Sequence, residues 1–137
     1  MHHIIYLSWT TGPFTDKELQ QLLTCSRQRN TELAVTGILL YGNEQFLQVL
    51  EGEEEVVQGV YARIRRDARH CNVLTFANKA IGQRTFTDWA MAFQPVSSQQ
   101  LEKVVGYLGA PNAPVNTAGL SYNDMHLFDL LRSFVLP

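Results

Sequence analysis

Gln48 occupies a position that the surrounding pattern reserves for a core apolar residue. The segment Gln45-Phe46-Leu47-Gln48-Val49-Leu50-Glu51-Gly52 reads as a strand ending at a glycine turn. Its period of two puts Phe46, Gln48 and Leu50 on one face, Leu47 and Val49 on the other. A buried carboxamide brings two donors and a two-lone-pair acceptor into apolar surroundings, at a cost of roughly a few kcal/mol unless each finds a partner. A lone strand glutamine is ordinarily satisfied by neighbouring backbone. Here five more polar side chains, Tyr6, Ser26, Asn30, Arg63 and Asp67, are aimed at the same place by the elements that carry them. Such a set of donors, acceptors and a phenol suits a flat ligand with polar edges.

Those elements follow from periodicity and punctuation. Residues 4–9 read as a strand with Ile4, Tyr6 and Ser8 on one face and Ile5, Leu7 and Trp9 on the other, broken at Gly12-Pro13. Thr15-Asp16-Lys17-Glu18 is a capping box that opens a helix. Its stripe runs Leu19, Leu22, Leu23, then Ser26 and Asn30, so the apolar face turns polar near the helix end. Residues 35–41 predict a second strand, Gly42-Asn43-Glu44 a tight turn and 45–51 the third strand. A second helix is predicted over 53–67, with an acidic first turn and a buried stripe of Val56, Val57, Val60, Tyr61 and Ile64. Asp67 at its end opposes the helix dipole, by roughly 0.3–1 kcal/mol if exposed. Either an i, i+4 ion pair with Arg63 explains it, or the two present a donor and an acceptor to a ligand.

Residues 72–81 and 86–95 predict a fourth and a fifth strand, the last with Trp89, Met91 and Phe93 on one face. The order gives an α+β class: a ferredoxin-like βαββαβ unit with an additional fifth strand. Strands one and three are expected to be adjacent, parallel and central, with two helices on one sheet face. Ile5, Leu7, Leu47 and Val49 on the opposite face then need cover. Two C-terminal helices, over 98–108 and 122–135, are expected to cap it; the second carries a wide apolar band from Met125 to Leu136. Residues 1–95 form the expected binding domain and 96–137 a two-helix extension for capping, output or oligomerisation.

Composition removes several classes. With 137 residues, one domain's worth of core is available. A net charge of −2 gives no footprint for nucleic acid or an anionic membrane. No apolar run approaches the ~18 residues of a membrane span, and Met-His-His-Ile-Ile-Tyr lacks the start of a signal peptide, so a cytoplasmic protein is expected. Cys25 and Cys71 stand alone and read as small hydrophobes. The four histidines form no ligand cluster, so no metal is expected. No nucleophile–base pair, phosphate loop or paired carboxylates appear, which argues against an enzyme.

The ordered motifs do resemble one family. Tyr6-Leu7-Ser8, Ser26-Arg27-Gln28-Arg29-Asn30, Thr36-Gly37-Ile38-Leu39-Leu40-Tyr41, Phe46-Leu47-Gln48-Val49-Leu50-Glu51-Gly52, Asp67-Ala68-Arg69-His70 and Trp89-Ala90-Met91 resemble, over residues 3–94, the BLUF blue-light sensors that use FAD. Trp89-Ala90-Met91 has Ala where Ser is common in that family. The resemblance implies a non-covalent flavin between the two helices, with Tyr6 and Gln48 as the photoactive pair. It implies that Asn30, Arg63 and Asp67 hold the polar edge of the ring and that Phe46 and Ile64 pack near it. Ser26, Met91 and Trp89 would surround the glutamine. Light would drive electron and proton transfer from Tyr6 through Gln48, which is left rotated or tautomerised.

With no attached enzyme domain, the resemblance implies a stand-alone short sensor whose output is a contact with a protein partner, with a homo-oligomer expected and neither nucleic acid nor membrane involved. A ferredoxin-like RNA-binding module is the rival class, although the RNP aromatic pattern is absent. A flavoprotein that binds constitutively without photochemistry is the nearer alternative.

Overall fold

A computed structural model of the chain describes residues 1–12, 14–86, 90–108 and 131. The elements are β1 (His2–Thr10), α1 (Asp16–Leu33), β2 (Thr36–Gly42), β3 (Gln45–Gly52), α2 (Glu54–Arg66), β4 (His70–Ala80), β5 (Ala92–Pro95) and α3 (Ser98–Leu108). They form a mixed five-stranded sheet in the order β4-β1-β3-β2-β5, with helices on its faces: a ferredoxin-like α+β fold. Trp89 and the predicted last helix, apart from Leu131, lie outside the described residues.

β1 and β3 are adjacent and central as expected, but they run antiparallel, not parallel. The reason is connectivity. α1 carries the chain back so that β2 repeats the direction of β1. The hairpin at Asn43 and Glu44, both at positive φ (52° and 58°), then reverses it into β3. An antiparallel pair sets residues directly opposite one another. Tyr6 therefore faces Gln48 across the ladder, between the Ile5–Val49 and Leu7–Leu47 pairs.

Two cores result, one on each face. Ile4, Tyr6, Leu39, Phe46 and Leu50 pack against Leu19 and Leu23 of α1 and Val57, Val60, Tyr61 and Ile64 of α2. On the other face Ile5, Leu7, Ile38, Leu40, Leu47 and Val49 pack with Phe86, Leu101 and Val104 of α3, and Leu131. The capping box of α1 forms as the sequence requires: Thr15 Oγ1 accepts from the Glu18 N–H at 3.1 Å, and the Thr15 N–H donates back to Glu18 at 3.3 Å.

The fifth strand is shorter than predicted. It begins at Ala92 rather than Phe86 and pairs parallel with β2. Among the described residues before it, Phe86, Ala90 and Met91 have backbone groups bonded by side chains. The Phe86 N–H donates to Glu51, the Ala90 carbonyl accepts from Asn30, and the Met91 carbonyl accepts from Arg27.

The β2–β3 contact leaves no room at Gly37, where an added Cβ would overlap the Val49 carbonyl oxygen of the neighbouring strand. That atom is backbone and cannot turn aside. Gly37→Ala is expected to cost about 3 kcal/mol or more, read as a lowered urea midpoint with an unchanged slope. A midpoint equal to the parent's would contradict this packing.

Candidate functional site

The centre of the site is the cross-strand pair. Tyr6 and Gln48 are 1% and 4% exposed. The Tyr6 hydroxyl donates to Gln48 Oε1. The amide at the other end, Nε2, donates to the Met91 sulfur at 3.3 Å. A thioether is a weak acceptor, so the donor end of a buried carboxamide is held by a partner it can readily exchange. Burial, with a smaller repulsion from Tyr61, pushes the Tyr6 phenol far above its ordinary range. Tyr6 is therefore neutral at any physiological pH. The Tyr61 ring lies 5.2 Å from the Tyr6 ring, and its hydroxyl is tied to Thr75.

Above this pair a cavity of about 100 Å³ opens between α1, α2 and the sheet. Tyr6, Gln48, Ser26, Arg63, Asp67, Phe46 and Ile64 all line it, with Arg29, Arg69, His70, Leu22 and Leu39. Seven of the residues singled out in the sequence thus meet at one place. The Phe46 ring is held by Phe14, 5.3 Å away and edge-on, and by Tyr41 at 4.8 Å. A β-bulge in the β1–β4 pairing falls between Ile5 and Tyr6, and bulges next to a site re-aim its side chains.

Asn30 is fully buried and does not line this cavity. Its Nδ2 donates to the Ala90 carbonyl at 2.8 Å, its Oδ1 accepts from Arg29 Nε at 3.4 Å, and it borders a second cavity with Thr36, Arg84 and Ala90. Met91 does not line the main cavity either; it reaches the site through Gln48.

Asp67 is not paired with Arg63. It ends α2 in extended backbone geometry (φ −72°, ψ 123°), and its carboxylate accepts from the Arg69 N–H at 2.9 Å and from the Arg69 guanidinium at 2.6 Å. An Asp at a helix end commonly captures the backbone two residues on, a signal the sequence offered. Arg69, through its side-chain hydrogen bonds, holds the Asp67 carboxyl down at about 2. Arg63 is left with no hydrogen-bond acceptor among the described residues. Burial and then the Arg63 charge lower the Arg29 pKa. Two cations on one rim, facing a neutral phenol and an amide, make that rim a receptor for an electron-rich edge.

His70 opens β4, with its Nδ1 2.9 Å from Ser8 Oγ and its ring 5.4 Å from Phe46. Burial lowers its pKa, so it is neutral near pH 7. Arg29, Arg69 and the anchoring role of Arg27 escape a pattern reading, since exposed arginines on helices and loops are ordinary. Among the described residues no group of His, Cys, Asp and Glu is placed to hold a metal ion. No helix among them is long and apolar enough to cross a membrane.

An α+β sensor-like fold with a glutamine–tyrosine pair beneath an aromatic-lined, arginine-rimmed cleft narrows the class. A family model described as sensors of blue-light using FAD, BLUF, matches residues 1–92, and the chain belongs to that family. The photoactivated adenylate cyclase subunit beta of Euglena longa is 31% identical over 155 residues, covering 96% of this chain. The blue light- and temperature-regulated antirepressor BluF of Escherichia coli (strain K12) is 37% identical over 71 residues, 52% of this chain. The chain spans 18% of the length of each of these relatives. Among solved structures, the BLUF protein BlrB in its dark state is 32% identical with a TM-score of 0.67, covering 78% of this chain and 80% of BlrB. BlsA in its photo-activated state is 25% identical with a TM-score of 0.73, covering 99% and 95%.

The donor set fits a flavin. The ring offers two carbonyl oxygens and N5 as acceptors, complementing the Gln48 amide and the arginines, and an N3–H donor that complements Asp67. Arg63 is exposed and Arg29 half-buried, so both can turn outward to admit a ring without unpacking the core.

The Asp67–Arg69 pair carries its own test. A carboxyl depressed to about 2 contributes stability that is complete above the unfolded value, about 3.9, and is lost as pH falls toward 2. Arg69→Ala should raise the Asp67 side-chain titration, followed by NMR, from about 2 toward about 3.9, the backbone N–H of residue 69 still holding it somewhat down. The difference in stability between parent and variant should vanish below pH ~2. An unshifted Asp67 titration in the variant would assign the depression to another group.

Proposed function

We propose that the chain is a blue-light photoreceptor that holds FAD non-covalently between α1 and α2 and signals by contact with a protein partner. The supporting observation is the Tyr6–Gln48–Met91 chain of hydrogen bonds: a buried phenol donating to an amide whose own donor rests on a weak acceptor. A flavin bound in the cleft would supply blue-light absorption and a one-electron acceptor for Tyr6.

Tyr6 is the electron source. Its phenol cannot ionise beforehand, so its proton leaves as the electron does, along the existing hydrogen bond to Gln48 Oε1. Once the proton and electron had returned, Gln48 would be left rotated or tautomerised, with its donor free to leave the weak Met91 sulfur acceptor. Arg63 and Asp67, with the second Asn30 N–H, would hold the polar edge of the ring. Phe46 and Ile64 would pack beside it, with Ser26 and Met91 near the glutamine; the expected role of Trp89 lies outside the described residues. None of these groups forms a nucleophile–base pair, which favours a sensor over an enzyme.

Residues 1–95 then form the photosensor, and residues 96–137 the cap and output element, working in a cytoplasmic homo-oligomer. The relatives named as adenylate cyclase and antirepressor suggest that such a sensor acts on a protein effector. Burial of Leu101 and Val104 among Ile5, Leu7, Leu47 and Val49 supports a role for α3 in passing the change on.

The purified chain is expected to be yellow, with FAD in its extract by mass spectrometry. Blue light should shift the flavin band reversibly to the red, because a new hydrogen bond lowers the excited-state gap. Tyr6→Phe and Gln48→Leu should each bind flavin and abolish the shift. A parent that binds flavin without any light–dark difference is a constitutive flavoprotein, and a normal photocycle in Gln48→Leu would overturn the proposed role of the pair.

A further inference from the structure

Glu51 lies three residues beyond Gln48 on β3 and is fully buried, yet the chemistry of the cleft makes no use of it. Its side chain is turned the other way along the strand, toward the segment that joins β4 to β5. Glu51 Oε2 accepts the Thr85 N–H at 2.7 Å, and Oε1 accepts the Phe86 N–H at 2.8 Å and the Thr36 hydroxyl at 3.4 Å. Arg84 completes the arrangement from its outer side. It donates to Thr36 Oγ1 at 2.9 Å, to the Glu51 carbonyl at 3.1 Å and to the Ala34 carbonyl at 2.6 Å.

A buried carboxylate is expensive unless it is hydrogen-bonded, and here two consecutive backbone amides supply the bonds. Charge-assisted bonds of this kind are about twice as strong as neutral ones. Met91, the partner of the Gln48 amide, follows Phe86 by five residues in the sequence. There Asn30 takes the Ala90 carbonyl at 2.8 Å and Arg27 the Met91 carbonyl at 2.9 Å. Phe86 lies in the opposite core with Leu101 and Val104, and Met91 in the core of the cleft face.

We infer that Glu51 is a positioning residue for the light response. By clamping Thr85 and Phe86, it bears on the position of the Met91 sulfur, five residues on in the sequence, against the Gln48 amide. The inference rests on the photoreceptor reading of the site. With the clamp intact, Met91 is pre-organised to receive the Gln48 donor when the pair relaxes; with it loosened, the sulfur samples more positions and relaxation waits for the right one.

The test is Glu51→Gln, which keeps the shape but replaces one carboxylate oxygen by an NH₂ facing a backbone donor. The variant is expected to bind flavin and to give the parent's red shift, but to recover in the dark about threefold or more slowly. In a Met91→Ala background the same substitution should leave the recovery rate unchanged within experimental error, because the residue acts through Met91. Should Glu51→Gln fail to fold, Arg84→Gln loosens the same segment from its exposed side and should slow recovery in the same Met91-dependent way. A recovery rate equal to the parent's, with only the melting temperature lowered, would reduce Glu51 to a structural clamp and overturn the inference. Equal slowing with and without Met91 would do the same. Absence of any light response in the parent would instead strike the photoreceptor reading itself.

Discussion

The structure depends on one cross-strand pair, Tyr6 against Gln48, buried at the centre of an antiparallel ladder. Two polar side chains at that depth are tolerable only because each answers the other, and the arrangement holds only in this register. A one-residue slip of β3 would send Gln48 into the apolar far face and bring Val49 or Leu47 under the cleft. Several local features guard against it. The two-residue turn at Asn43 and Glu44 sets the β2–β3 register, and the absence of a side chain at Gly37 lets the strands close there. Ile5, Leu7, Leu47 and Val49 lock the alternation from the other side.

Under the proposed reading, the asymmetry of its partners would make the pair responsive rather than merely stable. At one end the glutamine oxygen accepts from a phenol that burial keeps protonated. At the other, its nitrogen donates to sulfur. Exchanging sulfur for an oxygen or nitrogen acceptor gains hydrogen-bond energy, so the amide has a reason to reorganise once the phenol's proton has moved. The arginine rim acts on a different part of the problem. Arg29 and Arg63 repel each other across the cleft, a cost relieved by an electron-rich ligand edge between them. Arg69, by contrast, is spoken for by Asp67.

Much of this was legible in the chain. The strand at 45–52, the capping box at Thr15 and the polar ends of two helical stripes together located the site, because period and spacing bring Tyr6, Ser26, Gln48, Arg63 and Asp67 to one sheet face. The relative direction of β1 and β3 was misread as parallel, although a helix followed by a tight hairpin requires the opposite. Of the two readings of Asp67, the ion pair with Arg63 does not form; Asp67 pairs with Arg69. Helical spacing favoured Arg63, but Asp67 falls just outside the helix, where the turn presents Arg69 instead. The early start assigned to β5 failed for a similar reason. Alternating residues such as Met91 and Phe93 look like a strand, yet the backbone before Ala92 is held by Glu51, Asn30 and Arg27, side chains distant in sequence.

That last failure bears on how a change beneath the flavin-binding cleft can reach the rest of the molecule. A regular β5 starting at Phe86 would have been zipped to β2 by its own ladder and could move only with the sheet. Phe86, Ala90 and Met91 are instead held by side chains from two elements, Arg27 and Asn30 on α1 and Glu51 on β3. Met91 sits in one core and Phe86 in the other. Close-packed cores move between discrete arrangements rather than deforming continuously. Under the proposed reading, Phe86 and Met91, one in each core, would relate the hydrogen-bond state of Gln48 to the packing of Leu101 and Val104 of α3.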